Sequence, residues 1–286
     1  NIEEFQSGTD PESALSNPAN QKVFRVSKAS TGSQGNQNSG VPFELLNAPI
    51  TISRNGQYIA YESKANNLVS GDENFANDIF MYDHINGVTS LVSVDNDGQP
   101  SFADSYGPSL AKDTKVIAFA SSSGLVDEDI NRTVDIYTRD MVNQQTKIVS
   151  ISSEGGLANN SSGAASISEN GQLIAFHSFA NSLVENDTNG RRDVFLHDTI
   201  TAETTLISYS SEGAFGNAGS RAPQMSDDGT QVIFASFATN FLVSDNNGAF
   251  PDIFVRDLEA AETSVVSVDS QGAQTNADST RSAISK

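Results

Sequence analysis

Three short acidic loops carry the residues best suited to chemistry in this chain. They are Asp72-Glu73-Asn74 followed by Asp78, Asp129-Ile130-Asn131 followed by Asp135, and Asp187-Thr188-Asn189 followed by Asp193. Oxygen side chains at alternate positions of a tight loop can ring a hard cation, so Asp72, Asn74, Asp78, Asp129, Asn131, Asp135, Asp187, Asn189 and Asp193 are candidate calcium ligands. No twelfth-position Glu completes an EF-hand. A fourth loop reads Asn246-Asn247-Gly248 in place of Asp-x-Asn and keeps only Asp252. Short Asp and Asn side chains also cap loops by bonding their own backbone. A structural role and a calcium role therefore both stand.

The other reactive side chains do not converge. His84, His177 and His197 fall in different positions of the repeat described below, which argues against a shared metal cage. Asp83, Asp140, Asp198 and Asp257 each end an apolar segment and start a turn, where Asp is favoured. No G-x-S-x-G elbow, phosphate-cradling loop or H-E-x-x-H is present. Glycosidase chemistry needs carboxylates that converge on a substrate, and the segments expected to line a central channel offer mainly Ser, Thr, Ile and Ala. No catalytic residue is assigned, and the expectation is a non-enzyme. Phe75 and Phe250 sit in two of the acidic loops and could stack on a sugar, but the other loops lack an equivalent ring.

The elements that position these loops recur four times. A polar turn closes at Gly56, Thr114, Gly171 and Gly229, a spacing of about 58 residues that marks a repeat architecture. Asn-Gly and Asp-Gly at these turns suggest tight hairpins with both central residues at positive φ. Each turn follows a short strand: Ile50–Gly56, Ser109–Thr114, Ser166–Gly171 and Gln224–Gly229 contain these strand-plus-turn segments. Next come continuous apolar runs, YIAYES, VIAFAS, LIAFHS and QVIFAS, too short for helices and suited to strands covered on both faces. The third segments are DIFMYD, DIYTRD, DVFLHD and DIFVRD, and the fourth are TSLVSV, TKIVSI, TTLISY and TSVVSV. β-Branched residues mark both sets as strands.

A four-stranded unit at constant period is most simply a propeller blade, because radially packed sheets cover each other's faces. The expected fold is an all-β propeller of four complete blades, spanning about 49–107, 108–164, 165–222 and 223–281. An incomplete blade is expected from flanking strands 23–28 and 282–285, with residues 1–20 as a flexible arm and an insertion around Val41–Ala48.

The repeat pattern resembles the TolB-like, WD40-like propeller repeats of bacterial secreted and periplasmic proteins. The third copy carries it most fully, as SISENGQLIAFHS, NSLVENDTNGRRDVFLHD and TTLISYSSEG. The resemblance covers all four copies and implies a fold; its members serve as scaffolds, binding modules or accessory domains. It implies an extracellular or cell-surface setting.

Composition narrows the partners. With 36 acidic and 16 basic residues the net charge is −20, which repels phosphate backbones and anionic membranes, so neither nucleic acid nor membrane insertion is expected. The absence of Cys excludes disulfides and thiol chemistry. The unmatched flanking strands fit a piece of a longer propeller, a four- or five-bladed ring with one skeletal blade, or pairing supplied by a neighbouring chain. The last is the basis for expecting a structural or interaction propeller, joined to itself head-to-tail by strand addition as a surface or fibre subunit. Glycan or protein binding, or service as an accessory domain of a secreted hydrolase, are the alternatives.

Overall fold

The computed structural model describes residues 24–39, 50–242, 245–248, 250–280 and 282–285. The expected arm at 1–20 and the insertion at 41–48 lie outside these residues. The described chain folds into four antiparallel four-stranded sheets in sequential order. Blade 1 comprises β1 (Thr51–Ile52), β2 (Tyr58–Ser63), β3 (Asp78–Asp83) and β4 (Val88–Leu91); blade 2 comprises β5 (Ser105–Leu110), β6 (Val116–Ser121), β7 (Asp135–Asp140) and β8 (Gln145–Ile148). Blade 3 comprises β9 (Ser162–Ile167), β10 (Leu173–Ser178), β11 (Asp193–Asp198) and β12 (Glu203–Leu206); blade 4 comprises β13 (Ser220–Met225), β14 (Gln231–Ser236), β15 (Asp252–Asp257) and β16 (Glu262–Val265). The fold is an all-β propeller arrangement of four blades.

The apolar segments of the sequence become the two middle strands, paired along all six residues in every blade. Their alternating side chains give each blade two unlike faces. One face is aromatic: Tyr61 and Phe80, Phe119 and Tyr137, Phe176 and Phe195, Phe234 and Phe254. The other is small and aliphatic, as in Ala60 and Ile79, Ala118 and Ile136, Ala175 and Val194. The aliphatic face of blade 1 packs on the aromatic face of blade 2, and the same pairing joins blades 2 and 3 and blades 3 and 4.

Polar clasps close the margins of these seams. At the inner margin, the hydroxyls of Thr51, Ser109 and Ser166 accept the backbone N–H of Leu110, Ile167 and Met225 in the following blade, at 2.9–3.2 Å. At the outer margin, Thr146, Thr204 and Thr263 donate to the carbonyls of Val94, Ile151 and Tyr209 in the preceding blade, at 2.5–2.7 Å. Their own N–H groups donate to Asn96, Ser153 and Ser211. Near the inner turns, Arg54 pairs with Asp113 at 2.7 Å and with Glu169, and Lys112 pairs with Asp227 at 2.5 Å. These pairs tie blade 1 to blades 2 and 3, and blade 2 to blade 4. Their cations are roughly half exposed, so they set register more than they stabilise.

Three details differ from the expectations. The inner strands β5, β9 and β13 begin four residues before the segments read from the sequence, and each carries a register shift. Gly107, Ala164 and Ala222 hold positive φ there, a β-bulge that breaks the alternation. The closing turns hold positive φ only at Gly56, Gly171 and Gly229, not at the residue before, so they are not the two-residue hairpins expected. Finally, neither flanking segment is a strand. Phe24–Lys28 makes only the Lys28–Gln34 bridge, and 282–285 makes no ladder, because neither lies beside a middle strand of its own blade.

Both segments nonetheless copy blade positions. Thr89 donates to the Lys28 carbonyl at 2.5 Å and Ser30 bonds Thr89, so residues 28–30 act on blade 1 as each blade's tail acts on the next. Phe24 and Val26 cover the aromatic face of blade 1. Ser279 donates to the Pro251 carbonyl at 2.9 Å, as Ser105, Ser162 and Ser220 do to Asn77, Val134 and Arg192, and Ile284 packs on Ile233, Ala235 and Ile253.

Replacing the clasp threonine tests this account. Thr204→Val keeps shape and removes the hydroxyl that bonds Ile151 and His197, leaving a buried carbonyl unpaired. A loss of about 1–3 kcal/mol is expected in urea unfolding, against less than about 0.5 kcal/mol for the exposed Thr201→Val.

Candidate functional site

The acidic loops connect the second and third strands of each blade, on the same rim as the starts of the inner strands. In blade 1, Asp78 accepts Ser93 Oγ at 2.6 Å on Oδ1 and Asn74 Nδ2 at 2.8 Å on Oδ2. Asn74 Nδ2 also donates to the Ser101 carbonyl, its Oδ1 accepts Ala76 N–H, and Ser93 Oγ accepts Ile79 N–H. Asp193 repeats the arrangement with Ser208 at 2.8 Å and Asn189 at 2.7 Å. Asp135 is held by Ser150 at 2.6 Å and by Thr133 at 3.0 Å, while Asn131 bonds the Ala158 carbonyl. Each loop is thus a lock that ties the start of a third strand to the chain beyond the fourth.

The fourth loop follows the same plan. Asn247 Nδ2 reaches Asp252 Oδ2 at 3.1 Å and the Thr275 carbonyl at 2.9 Å, and Ser267 donates to Asp252 at 2.7 Å. The Asp-x-Asn of this blade is therefore Asp245-Asn246-Asn247, with one extra residue before Asp252, rather than a loop that has lost it.

The candidate ligand oxygens of Asp78, Asp135, Asp193 and the three asparagines are engaged in these bonds. A calcium ion here would have to displace them. Among the described residues no group of three or more acidic or His side chains is arranged to hold a metal. The leading Asp of each loop is different in each blade. Asp129 accepts the Tyr137 hydroxyl, and Asp245 accepts the N–H groups of Asn247 and Gly248. Asp72 Oδ1 and both oxygens of Asp187 are buried with no hydrogen bond of good geometry, the Asn189 N–H acting on Asp187 only weakly. In blades 1 and 3 the position of Tyr137 is Phe80 and Phe195, which have no hydroxyl to give. Burial raises the Asp72 carboxyl, and burial together with the Asp193 charge raises Asp187 to about 6. Burial also raises Asp78 to about 6, against the pull of Ser93 and Asn74.

The turn aspartates take the structural role expected of them. Asp83 Oδ1 accepts Ile85 and Asn86 N–H, and Asp140, Asp198 and Asp257 do the same in their hairpins. These bonds hold all four carboxyls below the usual carboxylate value. His197 bonds the clasp hydroxyl of Thr204 at 2.8 Å, as Arg139 and Arg256 do with Thr146 and Thr263 at 3.0 Å. His84 stacks on Phe24, and Phe75 and Phe250 are exposed in their loops.

The sequence reading missed one cluster. His177, Arg192 and Arg221 meet at the seam between blades 3 and 4, each beside a phenylalanine or backbone amide. The only available signal was two arginines in columns that are uncharged in every other blade.

This is a β-propeller with one short polar rim built from locks and one seam that departs from the repeat. No protein-family model and no curated protein sequence matches the chain. Among solved structures it is similar to TolB from Acinetobacter baumannii, at 16% identity over 76% of this chain and 43% of that one, with a TM-score of 0.44. It is also similar to TolB from Agrobacterium tumefaciens, at 14% identity over 79% and 67%, with a TM-score of 0.49. The β-propeller domain of the trilobed protease from Pyrococcus furiosus is similar at 13% identity over 74% and 54%, with a TM-score of 0.43. The chain therefore spans 43% of the first of these proteins, and the likenesses concern the fold alone.

Two outcomes follow for the locks. Phe195→Tyr places a hydroxyl against Asp187 as Tyr137 does against Asp129, and is expected to add about 1–2 kcal/mol at pH 7 in denaturant titration. The raised Asp187 carboxyl favours folding when protonated. Its contribution is full below its ordinary value of 3.8 and is lost as pH rises through about 6. The melting temperature should therefore lose this contribution between about pH 4 and 6, and Asp187→Asn should flatten that part of the profile relative to wild type.

Proposed function

We propose that this chain is a non-catalytic interaction module whose fourth blade receives a further sheet from a second copy, building a head-to-tail surface or fibre assembly. One observation carries this reading. Val268 and Ser270 occupy the positions from which Val94 and Asn96, Ile151 and Ser153, and Tyr209 and Ser211 hold the threonine of the following blade. No threonine of the described residues reaches them. The fitting partner is the threonine edge of a blade of this same kind. Thr89 of a second copy supplies one, by exchanging its own Lys28–Ser30 tail for Val268–Ser270.

The face beside this tail supports the assignment. Val266 is 44% exposed, and Ile233, Ile253, Val268 and Ala283 line a groove of about 530 Å³ there. Each added copy would bring a tail of the same kind, which makes an open heterologous assembly. The acidic surface suits an extracellular or cell-surface place, away from nucleic acid and anionic lipid. No helix among the described residues is long and apolar enough to cross a membrane.

Sedimentation velocity across a hundredfold concentration range is the test, followed by negative-stain microscopy of the largest species. Species at integer multiples of the chain mass are expected, growing into strings. Val266→Glu, on the outgoing face, should leave the melting temperature within a few degrees and cut the assembled fraction sharply. A single chain-mass species at every concentration would sink the reading.

A further inference from the structure

Most recurring polar residues among those described have a partner supplied by the repeat, but the seam between blades 3 and 4 holds side chains that do not recur. Arg192 precedes β11 and matches Asn77, Val134 and Pro251 in the other blades. Arg221, on β13, matches Tyr106 and Gly163, while Phe179 and Phe237 share a column that holds Lys64 and Ser122 in blades 1 and 2. His177, on β10, shares its column with Glu62, Ala120 and Ala235. A repeated column maintains a blade, whereas these residues belong to one seam.

Their geometry is held by the fold. Ser220 N–H donates to the Arg192 carbonyl at 2.7 Å, and Arg221 pairs with Ala235 in the sheet, which sets the two arginines on one rim. The Arg192 guanidinium lies 5.2 Å from the centre of the Phe179 ring, and that of Arg221 lies 5.0 Å from the centre of Phe237. Stacking of this kind fixes the plane of a guanidinium and leaves its N–H edge free. Neither arginine forms an ion pair among the described residues, in a chain with 36 carboxylates. Arg192 Nε is buried without a hydrogen-bond partner.

The electrostatics are those of an uncompensated positive site. Burial and the Arg221 charge both lower the Arg192 guanidinium. Burial, then Arg192 and Arg221, push His177 down to about 3, so it is neutral at ordinary pH. No carboxylate is among the groups that shift His177 or Arg192. Holding two like charges together in a partly desolvated seam is unfavourable until an anion joins them. His177 Nδ1 faces the Ala222 N–H at 3.5 Å, so His177 adds no positive charge of its own.

We propose that this seam binds a small carboxylate, gripped by the N–H edges of Arg192 and Arg221, whose adjoining apolar or aromatic group rests on Phe179 and Phe237. Two guanidiniums match a planar carboxylate through paired, charge-assisted bonds. Phe179 is 49% exposed and offers the apolar shelf that such a site needs for specificity. The surrounding charge of −20 disfavours a polyanion and tolerates a single negative group.

Titration of the intact chain at low ionic strength with sodium benzoate, sodium acetate and inorganic phosphate tests the proposal. Arginine Nε–H resonances of the wild type, followed by NMR, report binding without any substitution. Saturable benzoate shifts confined to Arg192 and Arg221 are expected, with acetate at least threefold weaker and phosphate weaker still. Arg192→Gln and Arg221→Gln should each weaken benzoate at least tenfold, while Arg191→Gln, at the exposed neighbouring position, should change it less than twofold. Non-saturating shifts, equal response to phosphate, or an equal loss in Arg191→Gln would each overturn the site. None of these readouts depends on whether copies assemble.

Discussion

A four-stranded sheet has two faces and no way to bury either one alone, so everything in this molecule depends on how one blade meets the next. The meeting is directional. The aromatic columns of Phe119 and Tyr137, Phe176 and Phe195, and Phe234 and Phe254 press into alanine and aliphatic columns on the blade before them. Rings of this size bury a large area, and the small residues opposite leave room for them. Seams of this kind still expose backbone groups at their margins. The hydroxyl clasps answer that requirement, with Ser or Thr at the inner strand and Thr at the outer one. Apolar burial supplies the attraction, and the clasps decide the register in which it is made.

The locks in the acidic loops serve the same seams from above. Each ties a third strand to the chain that has just left the fourth, so the connection into the next blade starts from a fixed point. This explains why acidic residues recur although those among the described residues do not converge. Asp78, Asp135, Asp193 and Asp252 sit at strand starts with both oxygens occupied, and those bonds offset part of the cost of burying them. Asp187 lacks the compensation, because Phe195 stands where blade 2 has Tyr137. Repeats drift one side chain at a time, and here the drift shows as the tyrosine hydroxyl that Asp129 has and Asp187 lacks.

Much of this was legible in the sequence, for a physical reason. The middle strands are continuous apolar runs between turn residues, and the aspartates that open the hairpins stand at fixed distances from them. The inner strands were read too short because the bulge at Gly107, Ala164 and Ala222 interrupts their alternation with a left-handed residue. That error hid Arg221, which lies in the part of β13 not recognised as strand. The lock of blade 4 was misread because one inserted residue separates Asn247 from Asp252. The flanking segments carry blade-like sequences but lack neighbouring strands, and sequence similarity alone does not make a ladder.

Blade 4 also differs where its outgoing face is concerned. Ile233 stands in the column that is Ala60, Ala118 and Ala175 in the other blades, where the following blade inserts Phe119, Phe176 or Phe234. An isoleucine there fills the space that a ring would take. The side chain that meets it, Ile284, is aliphatic and comes from a segment in the inner-strand position. Blade 1 of a second copy carries Tyr61 in the column of those phenylalanines, so its sheet would have to seat shifted relative to the other three seams. The clasp at Val268 and Ser270 keeps the ordinary pattern while the apolar contact beneath it has changed. Selectivity at this end of the molecule is thus set by packing volume, and hydrogen bonding supplies only the alignment that the other three seams share.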